Sequence, residues 1–458
     1  MPARLLLLVF TVLIGTDICA QKLDSLMIRR IFDEALTRGH SYDNLRELCK
    51  DVGHRLTGSE GAKKAEQWGA NKMRSYGFKN VELQPFEAPY WVRGDVERGH
   101  LNNPHRVLNI SALGGSVGTN GPLTAEVIEV SGTAQLEKMN PADIEGKWVF
   151  INAPMNPKLI DTFHAYGPCS RERWVGAAES ARFGAAGVLL RSVTLRADDF
   201  PHTGVMGYND TIPKIPAVAI STNDAHHLSN LLRKQKVTAT VELNCEDRGT
   251  TTAHNVIGEI KGREHPEKII VVGAHLDSWD IGEGAHDDGA GVVQALEVLR
   301  LFKAMEYGPR HTIRCVLYMN EENGAEGAKA YADRVKSKGE VHLAALESDR
   351  GGFTPRGFSV DARDDQREYL QQFKKLLEPY FLHLMEPGYS GVDVGFLRNG
   401  ETTLIGFVPD SQRYFDVHHS ANDVFEQVNK RELELGSASI AALIYLIDQY
   451  GLPQKVAP

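Results

Sequence analysis

From residue 253 to the C-terminus, apolar and polar positions alternate in blocks. NVIGEIKG, KIIVVGA, TIRCVLYMN, VHLAALES and TTLIGFVP are short, near-continuous apolar runs. Between them, GAGVVQALEVLRLFKAM, GAEGAKAYADRVKSK and QREYLQQFKKLLEPYF repeat apolar residues at helical spacing, and a last helix is expected near 431–450. Strand-length runs alternating with helix-length stretches predict an α/β fold whose mostly parallel central sheet is flanked by helices. Runs without alternation fit strands covered on both faces.

The texture differs between about 106 and 250. GPLTAEVIEVSG, GKWVFINAP, AGVLLRS and KIPAVAIST are short β-type runs bounded by Gly, Pro and Asn, and only RERWVGAAESARFGA and NDAHHLSNLLRKQ read as helices. This predicts an α+β insert at 106–250 within a larger domain built from 46–105 and 251–458. The 46–105 part starts with helical LRELCKDVGHRLTGSEGAKKAEQWGANKMRSYGF and continues into strand-like NVELQPFEAPYW. Residues 21–45 form an amphipathic stretch that reads either as a removable pro-segment or as a first helix.

At the N-terminus Arg4 precedes an apolar run from Leu5 to Gly15, and Ala20 offers a small residue for cleavage. That is the layout of a signal peptide over 1–20, and the run falls short of the roughly 20 residues a membrane anchor needs. IAALIYLI near 440 is flanked by Glu434 and Asp448 and reads as a buried helix, so no membrane span is expected. The sequons at Asn109 and Asn209 fit N-glycosylation on the secretory route, with secretion as the destination and lysosome, endoplasmic reticulum and Golgi as further compartments. Beyond the signal, Cys49, Cys169, Cys245 and Cys315 remain: too few for a disulfide scaffold and without metal-finger spacing. Cys315 is expected as a buried thiol, and one bridge among the other three is open. The chain of 458 residues carries a net charge of −9, which argues against nucleic acid as a partner.

In open α/β sheets ligands gather beyond the carboxyl ends of the strands. After KIIVVGA come His275 and Asp277, with Asp287 past a loop; after TIRCVLYMN come Glu321 and Glu322; after VHLAALES comes Asp349; after TTLIGFVP, past a loop, come His418 and His419. Each has an ordinary reading alone: acids suit helix N-termini, and aspartates suit turns. Together they would crowd several carboxylates and two imidazoles on one rim, where anions repel unless a cation neutralises them. Imidazole and carboxylate without thiolate suit Zn²⁺, with Mn²⁺ or Co²⁺ as substitutes. The excess of carboxylates over one tetrahedral shell points to two ions sharing a bridging carboxylate, an arrangement that polarises a carbonyl and activates a shared water. One acid must stay unligated to move the proton, and the adjacent Glu321 and Glu322 can divide those roles.

The order H-x-D, D-D-G-x-G, E-E, a strand-ending Asp and H-S-x-x-D resembles the di-zinc exopeptidase family, which includes aminopeptidases, glutamate carboxypeptidase and the transferrin receptor. The resemblance covers about 45–100 and 253–455, and the 106–250 insert is similar to the protease-associated domain that some members carry. It implies two zinc ions per subunit, with His275 and Asp349 on one, Glu322 and His419 on the other, and Asp287 bridging. Glu321 would be the general base, and Asp277 would orient His275. Ser420 and Asp423 at the family spacing favour His419 over His418. Asp280 and Glu283 are expected as loop charges, and His286 and Asp288 receive no ligand role. The late loop departs from the family's Ser-Asp-His-x-x-Phe: here YSGVDVGF, 389–396, offers Tyr389 and Asp393 for gripping a substrate terminus. Hydrolysis of unblocked dipeptides and short peptides, and a homodimer, follow from the resemblance. The rival readings are a receptor-like binding protein and a mono-zinc glutaminyl cyclase on the same scaffold. The filled ligand set disfavours the receptor, and one ion against two would mark the cyclase.

Overall fold

The computed structural model describes residues 22–454; the expected signal peptide lies outside them. Two eight-stranded sheets carry the chain. The first runs in the order Lys79–Val92, Glu246–Ile260, His311–Tyr318, His265–His275, Val341–Glu347, Thr403–Pro409, Pro355–Asp361, Leu384–Pro387. Its four central strands, from His311–Tyr318 to Thr403–Pro409, are parallel. Antiparallel pairings flank them on both sides, so the sheet is mixed where the sequence pattern suggested little antiparallel pairing.

The apolar strands bury both faces. Ile270, Val272 and Ala274 pack with the helices Ala290–Ala304 and Lys430–Tyr450, whereas Ile269 and Val271 pack with Ala328 and Tyr331 of the helix Glu326–Lys338. Alternate side chains of one strand thus feed two cores, which is why these runs show no polar face. The helix Ala290–Ala304 is buried on nearly all sides, as an apolar helix without a polar stripe must be.

The second sheet runs His105–Val107, Glu97–Asn102, Thr238–Leu243, Leu123–Val130, Trp148–Ile151, Gly187–Arg191, Ala217–Ile220, Ile110–Ala112. The chain leaves the first sheet after Val92 and re-enters it at Glu246, so the second-sheet strands span 97–243 against the expected 106–250. The short strands Glu97–Asn102 and His105–Val107 carry little apolar pattern, and they hold their place by pairing. The helix Thr162–Ala181 starts earlier than its apolar pattern suggests. Asp161 caps it, accepting from Phe163 N at 2.9 Å, and Pro168 is accommodated inside. The described cysteines, Cys49, Cys169, Cys245 and Cys315, are all buried and free, so the bridge left open above does not form among them.

Residues 22–38 form a helix. Ile28, Ile31, Phe32 and Ala35 lie in the main core, and Tyr445 of the last helix donates to Asp24 at 2.8 Å. Each fully buried apolar side chain of this size contributes about 1.5–3 kcal/mol, a large share of ordinary domain stability. Deleting 22–38 is therefore expected to lower the melting temperature sharply or abolish soluble expression; a truncated chain that melts with the full-length protein would restore the removable pro-segment.

Candidate metal centre

The parallel strands end on one edge of the first sheet and deliver their polar successors there. His275 is the last residue of its strand, centrally placed between His311–Tyr318 and Val341–Glu347. Its Nε2 lies 3.2 Å from Asp287 Oδ1 and 3.4 Å from Asp349 Oδ1. On the other side of Asp287, Oδ2 lies 3.2 Å from His419 Nε2, which is 3.0 Å from Glu322 Oε2. One carboxylate thus stands between two imidazole–carboxylate pairs, all buried except the partly exposed Asp349.

The donor set fits divalent cations. Asp287 Oδ2 and Glu322 Oε1 are buried yet make no hydrogen bond of acceptable geometry within the chain, a costly state for a carboxylate oxygen unless a cation takes it up. The donor atoms of His275, Asp287 and Asp349 fall within 4.8 Å of one another, as do those of Asp287, His418 and His419. His418 therefore shares the neighbourhood: its ring stacks on His419 at 3.6 Å, and its Nε2 is 3.5 Å from Asp287 Oδ2. Only His419 faces both Asp287 and Glu322.

Glu321 and Glu322 precede the helix Glu326–Lys338 and do not belong to its first turn. They stand on an irregular turn opened by Asn320 at φ 80°. The carboxylate of Asp277 holds that turn, accepting from the backbone N–H groups of Asn320, Glu321 and Glu322 at 2.8, 3.1 and 3.2 Å. Glu322 meets His419, Glu321 has no ion-pair partner of its own among the described residues, and both glutamates line a cavity of about 330 Å³. Burial, with the negative charges of Asp349 and Glu322 added, raises the Glu321 carboxyl well above its usual range against the pull of His275. Burial first, then Asp287, pushes Glu322 up to about 7.

The orienting task expected of Asp277 is divided. His275 Nδ1 sits 3.1 Å from the Asp277 carbonyl oxygen and 3.8 Å from its carboxylate, so the ring can donate to the main chain while the side chain ties down the Glu321–Glu322 turn. Asp288 accepts from His275 N at 3.2 Å and Gly291 N at 2.9 Å, fastening strand end to helix start. His286 stacks on Phe353 at 4.1 Å, away from the donor set. Asp280 and Glu283 do more than decorate a loop. Asp280 pairs with the buried Arg93 at 2.6 Å, and Glu283 pairs with Lys50 at 2.7 Å and accepts from Phe425 N.

Asp423 accepts from the backbone N–H of His286 at 2.8 Å and of Asp287 at 3.1 Å, setting the central carboxylate. Such outer supports are worth about 10–100-fold in metal affinity. Asp423→Ala is expected to weaken zinc binding by about that factor in a chelator-competition titration; unchanged affinity would mean that the 284–289 segment is held without it.

The second sheet reaches the same rim, which the sequence did not reveal. His419 has φ 60°, a left-handed conformation costly for a side chain with Cβ. Thr203 holds it there: its N–H donates to His419 O at 2.8 Å, and its carbonyl lies 3.3 Å from His419 Nδ1. His202 Nδ1 is 2.6 Å from His418 O. Some 216 residues separate these partners, beyond the reach of any motif spacing.

The late loop places Tyr389 on the cavity wall, 57% exposed. Asp393 is fully buried, and neither of its carboxylate oxygens makes a hydrogen bond within the chain. Its neighbour Glu347, which accepts from Val394 N at 2.7 Å, faces the cavity. Asn109 and Asn209 are exposed, though Asn109 Nδ2 donates to the buried Asp224 at 2.9 Å.

Comparison with known proteins agrees with this architecture. The model of peptidase family M28 matches residues 255–444. Carboxypeptidase Q of Bos taurus is 31% identical over 412 residues, covering 90% of this chain and 85% of the relative; the Homo sapiens protein is 30% identical over 94% and 89%. The solved peptidase M28 precursor from Shewanella amazonensis superposes with a TM-score of 0.91 at 32% identity, over 96% of this chain and 99% of that one. At 21% identity and a TM-score of 0.65, a zinc aminopeptidase from Bacillus subtilis shares the fold. The chain belongs to peptidase family M28 and is a metallopeptidase.

Proposed function

We propose that this chain is a secreted or lysosomal zinc exopeptidase that hydrolyses dipeptides and short peptides with free termini, using two zinc ions per subunit. The observation that carries the reading is the carboxylate of Asp287, set between two imidazole–carboxylate pairs with one buried oxygen that makes no hydrogen bond of acceptable geometry within the chain. His275 and Asp349 would hold one ion, His419 and Glu322 the other, and Asp287 both. Bound there, zinc would supply Lewis acidity and lower the pKa of water. Glu321 takes the proton of the attacking water and returns it to the leaving amine nitrogen. Asp277 fixes the backbone of the Asn320–Glu322 turn, so that Glu322 can ligate while Glu321 moves protons. The second sheet forms a protease-associated-type insert that buttresses His419.

Secretion is supported by the signal-like layout of residues 1–20; among the described residues no helix is long and apolar enough to cross a membrane. The likeness to carboxypeptidase Q supports carboxypeptidase-type activity. A homodimer remains part of the proposal. A panel of free, N-blocked and C-blocked dipeptides, assayed with and without chelator, tests the reading: zinc-dependent cleavage of free dipeptides supports it, and chelator-resistant cleavage or none refutes it.

A further inference from the structure

The chain crosses from the first sheet to the second at Arg93, the residue that follows the strand Lys79–Val92. Arg93 is 7% exposed, and its guanidinium is shared between the two sheets. Toward the first sheet it grips Asp280, with Nε 2.9 Å from Oδ2 and Nη2 2.6 Å from Oδ1. Toward the second sheet, Nη1 donates to Ala112 O at 2.6 Å, Ser111 Oγ at 2.9 Å and Glu97 Oε1 at 3.1 Å. A planar fork with five N–H groups holds partners along two edges at fixed angles, which an ammonium on a flexible stem does not.

Both edges lead to His419. On the insert side, Ala112 O also accepts from Thr203 Oγ1 at 2.7 Å. Two residues on, Gly114 N donates to Gly204 O and Gly114 O accepts from Met206 N, at 3.0 Å each. Residues 112–114 therefore carry the Thr203 segment that fixes the main chain of His419. On the other side Asp280 follows Trp279, whose buried indole packs on Gly114, where a Cβ would fall 1.9 Å from the ring. The same indole meets the His419 imidazole in a T-shaped contact, ring centroids 5.8 Å apart. Arg93 thus ties together the two supports that enclose His419. Asp287 has its own anchors in Asp423 and, through the loop before it, Arg55. Among the described residues the hydrogen bonds and ion pairs of the His275 ring stay within the first sheet's domain. Resting on the proposed two-zinc reading, we infer that Arg93 is a positioning residue for the His419–Glu322 ion alone, through which the crossover between the sheets sets the affinity of one ion of the pair.

The test reads metal affinity, separately from turnover. Chelator competition on the zinc-loaded protein follows the release of each ion, and His419→Ala identifies which release belongs to the His419–Glu322 ion. Arg93→Gln is expected to weaken that ion about 10-fold, the lower end of the range for an outer support, and to leave the other unchanged. Arg93→Lys keeps a charge beside Asp280 without the fork that also reaches Ala112. It is expected to weaken the same ion alone, by less, and carries the test if the Gln variant does not fold. Arg314→Lys, the same change at a buried arginine paired with Glu259 and Glu340, controls for general loosening and should leave both ions in place. Unchanged release in the folded Arg93 variants, equal weakening of both ions, or the same selective loss in Arg314→Lys overturns the assignment. Failure of the two-zinc reading would show elsewhere, as wild-type protein that binds fewer than two zinc ions.

Discussion

Glu321→Gln is expected to keep its full zinc content and to lose about 10²–10⁴-fold in turnover, the range for removing a general base. The substitution preserves shape and removes only the proton acceptor. Glu321 faces the cavity on a turn whose backbone is tied to Asp277, so the amide should sit where the carboxylate sat. Zinc analysis and steady-state kinetics on the same preparation separate the two effects. Unchanged turnover would remove Glu321 as the base; loss of zinc would move it into the ligand set.

The second large effect concerns Asp287. Asp287→Asn removes the only carboxylate among the described residues that pairs with both His275 and His419, leaving each prospective ion without a shared anion and the two imidazole–carboxylate pairs uncoupled. The bound metal is expected to fall below two equivalents, and turnover by at least about 10³-fold, because several kcal/mol of transition-state stabilisation leave with the ions. Asp288 and Asp423, which organise the surrounding backbone, are untouched, so circular dichroism should be unchanged. Two equivalents of metal in this variant would show that Asp287 does not bridge.

What the sequence disclosed follows from where the information is stored. The parallel strands and the residues after them were legible because apolar periodicity locates strand ends, and strand ends locate His275, Glu321, Glu322 and Asp349 on one edge. The antiparallel margins were less so: Pro355–Asp361 and Leu384–Pro387 are short and mixed in polarity, and their strand state comes from pairing with Thr403–Pro409 and with each other. The supports of the centre were mostly hidden. Thr203 acts through backbone N–H and C=O contacts that any residue type can make, and His202 acts through a ring nitrogen whose partner, the carbonyl of His418, lies 216 residues away. Arg55 is similar: its buried guanidinium donates to the carbonyls of Leu276, Glu283 and Gly284, shaping the loop before Asp287, from a stretch that read only as helical. The carbonyl that faces His275 Nδ1 belongs to the expected residue, Asp277, but through its main chain, a distinction no sequence pattern carries.

The most direct measurement is elemental analysis of freshly purified, folded protein. The account predicts two zinc ions per chain, removable by chelator with loss of peptidase activity and restored by adding zinc back. A well-folded sample that is metal-free and takes up no zinc at neutral pH would contradict it.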